Sequence, residues 1–251
     1  MPTREPIFNV PAAVMGAIGL MVLIHTGLWY LGEDEETRLK LMLSFFPARY
    51  SAGASRLPGD WPGAQIWSFV SHQLVHGDWT HLAMNSAWLL AFGGAVAARI
   101  GNWRFILLGL LSGIAGAAFF LAFRWGEAVP MVGASGAVSG LMGGAFRFFF
   151  NHTDAMQRFG DPNADPRSVP RMSLRQTFTD RRVLTVVAIW VVLNFVTAAA
   201  SFLLTSGAGI AWEAHLGGFL LGILGFAVFD APKPAPDDHL PPPDPASRTL
   251  H

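Results

Sequence analysis

Six apolar stretches, at approximately 11–31, 79–98, 103–123, 132–150, 183–206 and 212–229, each reach about the 20 residues a helix needs to cross roughly 30 Å of hydrocarbon. A backbone in that medium must pair its own N–H and C=O groups, and unbroken apolar runs of this length do so as helices. The expected fold class is therefore an all-α polytopic membrane protein, a six-transmembrane-helix bundle. Composition agrees, with 52% of the 251 residues hydrophobic and 14% charged, against roughly 25% charged in soluble domains. Prolines lie outside the runs or at their edges, and Trp29, Trp79, Trp103, Trp125 and Trp212 lie near run ends, where an amphipathic ring favours the headgroup level. Glu33, Asp34, Glu35 and Glu36 follow the first run with no small-residue cleavage signal, so it is expected to stay as a helix.

Charge sets the orientation. Arg4, Arg99, Arg104, Arg147, Arg158, Arg167, Arg171, Arg175, Arg181, Arg182, Lys233 and Arg248 fall on one side of the runs, and Arg38, Lys40, Arg49, Arg56 and Arg124 on the other. The positive-inside rule then puts both termini in the cytoplasm, and the even-numbered helices start at the outer face. A bacterial cytoplasmic membrane is the expected location. The long first loop carries Phe45, Phe46, Tyr50, Trp61 and Trp67 and is expected to rest in the outer interface. The polar, basic fourth loop, about 151–182, is expected on the inner leaflet. Residues 1–10 read as a cytoplasmic segment, 11–229 as one helical domain, and 230–251, with seven prolines, as a disordered tail.

Seventeen Lys+Arg against seventeen Asp+Glu gives no basic excess for nucleic acid, and the absence of cysteine removes disulfides, thiolate metal sites and a thiol nucleophile. Any nucleophile is an oxygen or a nitrogen.

Polar side chains inside lipid are costly, so each needs a partner or a task. The runs contain His25, His81, Asn85, Ser135, Ser139, Asn194, Glu213 and His215. His81, Ser135 and His215 each lie near the start of an even-numbered helix and hence at similar depth. His81 and Asn85, four apart, share a helical face. Val132 to Ala137 form a nearly side-chain-free run after Pro130, which leaves backbone N–H groups free at a helix start to hold an oxyanion. Gly136, Gly140 and Gly144 recur every four residues, as do Gly218 and Gly222, which predicts close contact between the fourth and sixth helices. That contact brings Ser135 to His215. A serine hydroxyl becomes a useful nucleophile when a neutral imidazole takes its proton, and the Ser135 backbone N–H, His81 and Asn85 are available as oxyanion donors. Glu213, two residues before His215, is expected to face water. His25 is expected to bond backbone, and Asn194 to join helices.

These residues resemble the rhomboid intramembrane serine proteases: His81 and Asn85 fit HxxxN, Gly133-Ala134-Ser135-Gly136 fits GxSG, and Ala214, His215, Gly218 and Gly222 fit AHxxGxxxG. The likeness covers about residues 10 to 230 in the minimal six-helix form. It implies that Ser135 attacks a peptide carbonyl of a substrate transmembrane segment, with His215 as base and then acid and with no cofactor. His81, Asn85 and the Ser135 amide would hold the oxyanion in a cavity open to the outer side. The resemblance further implies a lateral gate at Trp190 and a cap at Ser206, Gly207, Ala208 and Gly209. Two positions depart from the pattern. Ser68 follows Trp67 where the family often has arginine, and Ser139 stands where an aromatic ring often stacks on the histidine.

Other readings are weaker. His72, His76 and His81 with Asp78 suggest a metal cluster, but no HExxH is present. The Ser135 surroundings lack the strand and final glycine of a GxSxG elbow, which excludes a soluble α/β-hydrolase. A transporter would need paired inverted repeats. A catalytically silent rhomboid-like protein that binds transmembrane clients remains the alternative, and the intact serine and histidine argue against it.

Overall fold

The computed structural model describes residues 10–51, 61–159, 166–204 and 210–230. Its helices are α1 (Ala12–Tyr30), α2 (Glu33–Leu43), α3 (Ala64–Ser71), α4 (Trp79–Trp88), α5 (Gly94–Ile100), α6 (Asn102–Phe123), α7 (Ser135–Ala145), α8 (Phe149–Phe159), α9 (Leu174–Thr177), α10 (Arg181–Leu204) and α11 (Trp212–Phe229). A π-helical turn at Leu89–Gly93 joins α4 to α5 in one rod. Among the described residues the one extended pairing is an isolated antiparallel bridge between Phe45 and Met131. Five helices are long and apolar enough to cross a membrane: α1, the α4–α5 rod, α6, α10 and α11.

The fourth apolar run folds differently from the expected 132–150 helix. Helix α7 holds 11 residues, about 16 Å at 1.5 Å per residue, roughly half of the hydrocarbon thickness. Gly133, at φ +111°, turns the chain into it, and the ladder ends near Arg147, a buried arginine. The Arg147 guanidinium donates to the Met172 carbonyl at 2.9 and 3.1 Å and to the Ile223 carbonyl at 2.7 Å, so its charge is spread over backbone dipoles of two neighbouring segments. Helix α7 can be short because protein surrounds it: Gly136 and every residue from Val138 to Ala145 are buried.

The packing around α7 follows residue size. A Cβ on Gly218 would collide with the Gly136 carbonyl and one on Gly222 with the Gly140 carbonyl, while one on Gly143 would lie 2.6 Å from the Phe219 carbonyl oxygen. Backbone therefore meets backbone along α7 and α11, as the glycine spacing predicts. Helix α6 closes the third side, with Gly116 against the Ala214 carbonyl and Ser112 against Gly140. By contrast α10 is mostly outward-facing, with Ile189, Val192, Leu193, Phe195 and Val196 more than half exposed.

The first loop packs closely on the rest of the protein. Phe45 and Phe46 are fully buried, and Phe45 packs with Tyr50, Phe69 and His72. Its backbone is stitched to the segment before α7 by Phe45–Met131 bonds of 3.0 and 2.9 Å, Ala48 N–H to Glu127 O at 3.0 Å and Gly133 N–H to His72 O at 2.8 Å. Arg49, buried, reaches the Ser44 carbonyl at 2.5 Å and lies over the Phe46 ring, so an arginine braces this loop although position 68 is serine.

Candidate functional site

Three helix starts meet below the first loop. Asp78 caps α4 by accepting from the His81 N–H at 2.8 Å, which fixes His81 in the first turn. One turn on, the Asn85 side-chain amide donates to the His81 carbonyl at 3.0 Å. Both side chains border Gly133: a Cβ there would lie 2.6 Å from His81 Cε1 and 3.8 Å from Asn85 Nδ2. The positive φ and this close approach both require glycine at 133.

Ser135 is the first residue of α7 and is half-buried. The first intrahelical bond runs from Val138 N–H to Ala134 O at 2.9 Å, so the N–H groups of Ser135, Gly136 and Ala137 stand outside the helical ladder. His215 is in the first turn of α11. Its neighbour Ala214 presents a carbonyl 3.4 Å from where a Gly136 Cβ would be, which sets the backbone beside Ser135 against that beside His215. Among the described residues Ser135 Oγ makes no hydrogen bond. The His215 ring is instead engaged through Nδ1 with Asn194 Oδ1 at 2.5 Å.

The first-loop histidines brace this ground. His72 Nδ1 lies 2.8 Å from the Ser68 carbonyl, and His76 Nε2 accepts the Ala134 N–H at 3.4 Å with its ring edge-on to His81. Burial pushes His72 down to about 4 and His76 down to about 3, so both rings are neutral near pH 7. His76 can therefore accept from Ala134 and hold the residue before Ser135. Among the described residues no three His, Cys, Asp or Glu side chains converge as a metal site.

Two expectations are corrected. Glu213 does not face water: it is 2% exposed and its carboxylate accepts from Arg124 Nε at 2.6 Å, pinning the start of α11 to the end of α6. Asn194 joins helices as expected, linking α10 to α11 through His215. His25 meets the Trp79 ring edge-on at 4.5 Å rather than backbone. Trp190 is half-buried and stacks on Phe219 at 4.8 Å. The cap residues Ser206, Gly207, Ala208 and Gly209, and the tail from 231, lie outside the described residues. The Asn194–His215 pair was discoverable in principle, since an amide within a span needs a partner.

A sequence profile described as "Rhomboid domain" matches residues 63–230. Rhomboid protein 1, mitochondrial, of Saccharomyces cerevisiae is 31% identical over 143 residues, 55% of this chain and 37% of the yeast protein. RHOMBOID-like protein 4 of Arabidopsis thaliana is 29% identical over 171 residues, 68% of this chain and 36% of that one. Rhomboid protease GluP of Bacillus subtilis is 34% identical over 85 residues, 34% of this chain and 15% of that one. The matched region thus spans little more than a third of these relatives at most.

Proposed function

The chain belongs to the rhomboid family, and we propose that it is an intramembrane serine endopeptidase that cleaves transmembrane segments of membrane proteins with a Ser135/His215 dyad. One observation supports the reading: Gly133 packs on His81 and Asn85 while Gly136 packs on the Ala214 carbonyl, so the backbone around Ser135 runs between two potential donors and the start of α11, one residue before His215. Ser135 Oγ attacks the scissile carbonyl as His215 Nε2 takes its proton. The oxyanion is held by the Ser135 N–H, the Asn85 amide and the His81 ring. The imidazolium then protonates the leaving amine, and water repeats the sequence on the acyl-enzyme. No step calls for a cofactor.

The same reading places six helices, with α7 as the short central one, in a lipid bilayer of bacterial cytoplasmic type. Both termini face the cytoplasm and the site opens to the outer side, in line with the arginine-rich inner loops. Its partners are transmembrane-segment substrates, entering beside Trp190, and lipid. The relative named a protease supports this activity by likeness. A serine-directed fluorophosphonate should modify purified protein at Ser135, with labelling lost in Ser135→Ala and strongly reduced in His215→Ala. Folded wild-type protein that neither labels nor cleaves a membrane segment in liposomes refutes the protease and favours the silent client-binding relative.

A further inference from the structure

We propose that Asn194 is the positioning residue for the catalytic base, fixing His215 as the tautomer whose Nε2 is free to take the Ser135 proton; this rests on the protease reading above. The atoms leave one assignment. Asn194 Nδ2 lies 2.8 Å from the Trp190 carbonyl, which can only accept, so the amide nitrogen is committed there and Oδ1 faces α11. Oδ1 can only accept, so His215 Nδ1, 2.5 Å away, carries the hydrogen. In a neutral ring the lone pair then sits on Nε2.

The bond is held in register by its neighbours. Asn194 and Trp190 are one turn apart on α10, and His215 and Phe219 one turn apart on α11. Trp190 stacks on Phe219 at 4.8 Å on one side of the pair, and Phe195 packs on Trp212 at 5.0 Å on the other. The amide is thus the polar rung between two aromatic rungs, on a helix that is mostly outward-facing. No ring is available from position 139 to hold the imidazole plane, because that residue is serine.

During the reaction the Ser135 Oγ–C bond forms as the proton moves to Nε2, and the ring becomes an imidazolium. The Nδ1–H donation to Oδ1 is then charge-assisted and stronger than in the resting enzyme. A neutral amide supplies this acceptor without burying a carboxylate in the membrane. When the proton passes to the leaving amine, the ring returns to the same neutral tautomer.

The test compares full-length wild type, Asn194→Ala and Asn194→Asp in detergent by fluorophosphonate labelling, by cleavage of a transmembrane peptide, and by ¹⁵N NMR of histidine-labelled protein, with His215 assigned from its loss in His215→Asn. Asn194→Ala should lower kcat roughly ten- to hundredfold, the factor carried by one hydrogen bond to a charged group, with KM within about threefold. The His215 spectrum should move from the pure Nδ1–H form toward a tautomer mixture. Asn194→Asp, which keeps the acceptor oxygen, should restore most of the rate. Unchanged kcat and tautomer in Asn194→Ala, with the wild type active, overturn this proposal alone. A rate lost only in step with folding, the His215 spectrum unmoved, also overturns it and makes Asn194 a helix contact. Inactive folded wild type instead overturns the protease reading on which it rests.

Discussion

Adding one methyl group to α11 should slow the proposed reaction, or leave it untouched, according to which glycine receives it. At Gly218 an alanine Cβ would collide with the Gly136 carbonyl, lying 2.8 Å from its carbon and 3.2 Å from the Gly136 Cα, where ordinary contact begins at 3.4 Å. Both partners are backbone, so no rotamer change relieves the clash and the helices must part by roughly 1 Å. Overpacking of this kind costs about 1–3 kcal/mol, of which better helix propensity returns at most about 1 kcal/mol. The displacement falls one turn from His215 and beside Ser135, and a 1 Å misplacement in an active site costs about a hundredfold in rate. Gly225, two turns along the same helix, has nothing within 4 Å of its Cβ, so Gly225→Ala gains propensity without a clash. Thermal unfolding in detergent and the rate of Ser135 modification, measured on both variants, should therefore separate. Gly218→Ala should unfold earlier and label roughly a hundredfold more slowly, and Gly225→Ala should match or exceed wild type in stability. Equal behaviour of the two variants would refute backbone contact between α7 and α11 as what holds the site together.

Asn85→Ala should lower cleavage by roughly ten- to a thousandfold with the fold intact, as expected for one oxyanion donor; an unchanged rate in a peptide assay removes Asn85 from the mechanism. Arg124→Ala should destabilise more than Glu213→Gln, because the first strands a carboxylate that is 2% exposed, a loss of about 3–5 kcal/mol, whereas the second keeps an acceptor for an arginine that is a third exposed and also pairs with Glu127. Unfolding midpoints that rank the other way refute the assignment. Stability should fall as pH drops from about 6.5 toward 4. His72 and His76 are held neutral in the folded chain while an unfolded histidine with an ordinary value of 6.5 binds a proton, so the contribution is complete above 6.5 and lost below it. A His76→Asn variant should flatten that dependence in thermal scans at stepped pH, and an identical slope would show that His76 does not contribute.

Local sequence carried the long helices, because each is an apolar run whose length answers to the bilayer, and it carried the α7–α11 seam, because Gly136, Gly140, Gly218 and Gly222 have no other economical packing. It misjudged α7, since hydropathy registers an apolar run without telling lipid from surrounding protein, and the burial of Val138 to Ala145 by α6 and α11 is a tertiary fact. Glu213 was misread for a similar reason. Helical-wheel reasoning from His215 placed it, but its partner Arg124 is 89 residues away at the end of another helix. At the site, spacing and depth singled out positions 81, 85, 135 and 215 as candidates, and their roles rest on the proposed reading. The Asn194 amide signalled that α10 turns this position toward a partner, but which side chain it meets depends on how α10 and α11 pack, and that is a tertiary fact.

The brevity of α7 bears on how such a chain is made. Eleven residues, four of them glycine and two serine, offer a membrane-insertion machinery too little length and too little oiliness to be accepted as an independent anchor. During synthesis this segment must therefore wait, unplaced, until α11 has emerged and can lie against it beside α6. Assembly of the pocket is then a late event of biogenesis, which, on the protease reading, keeps Ser135 from being activated before the surrounding wall exists.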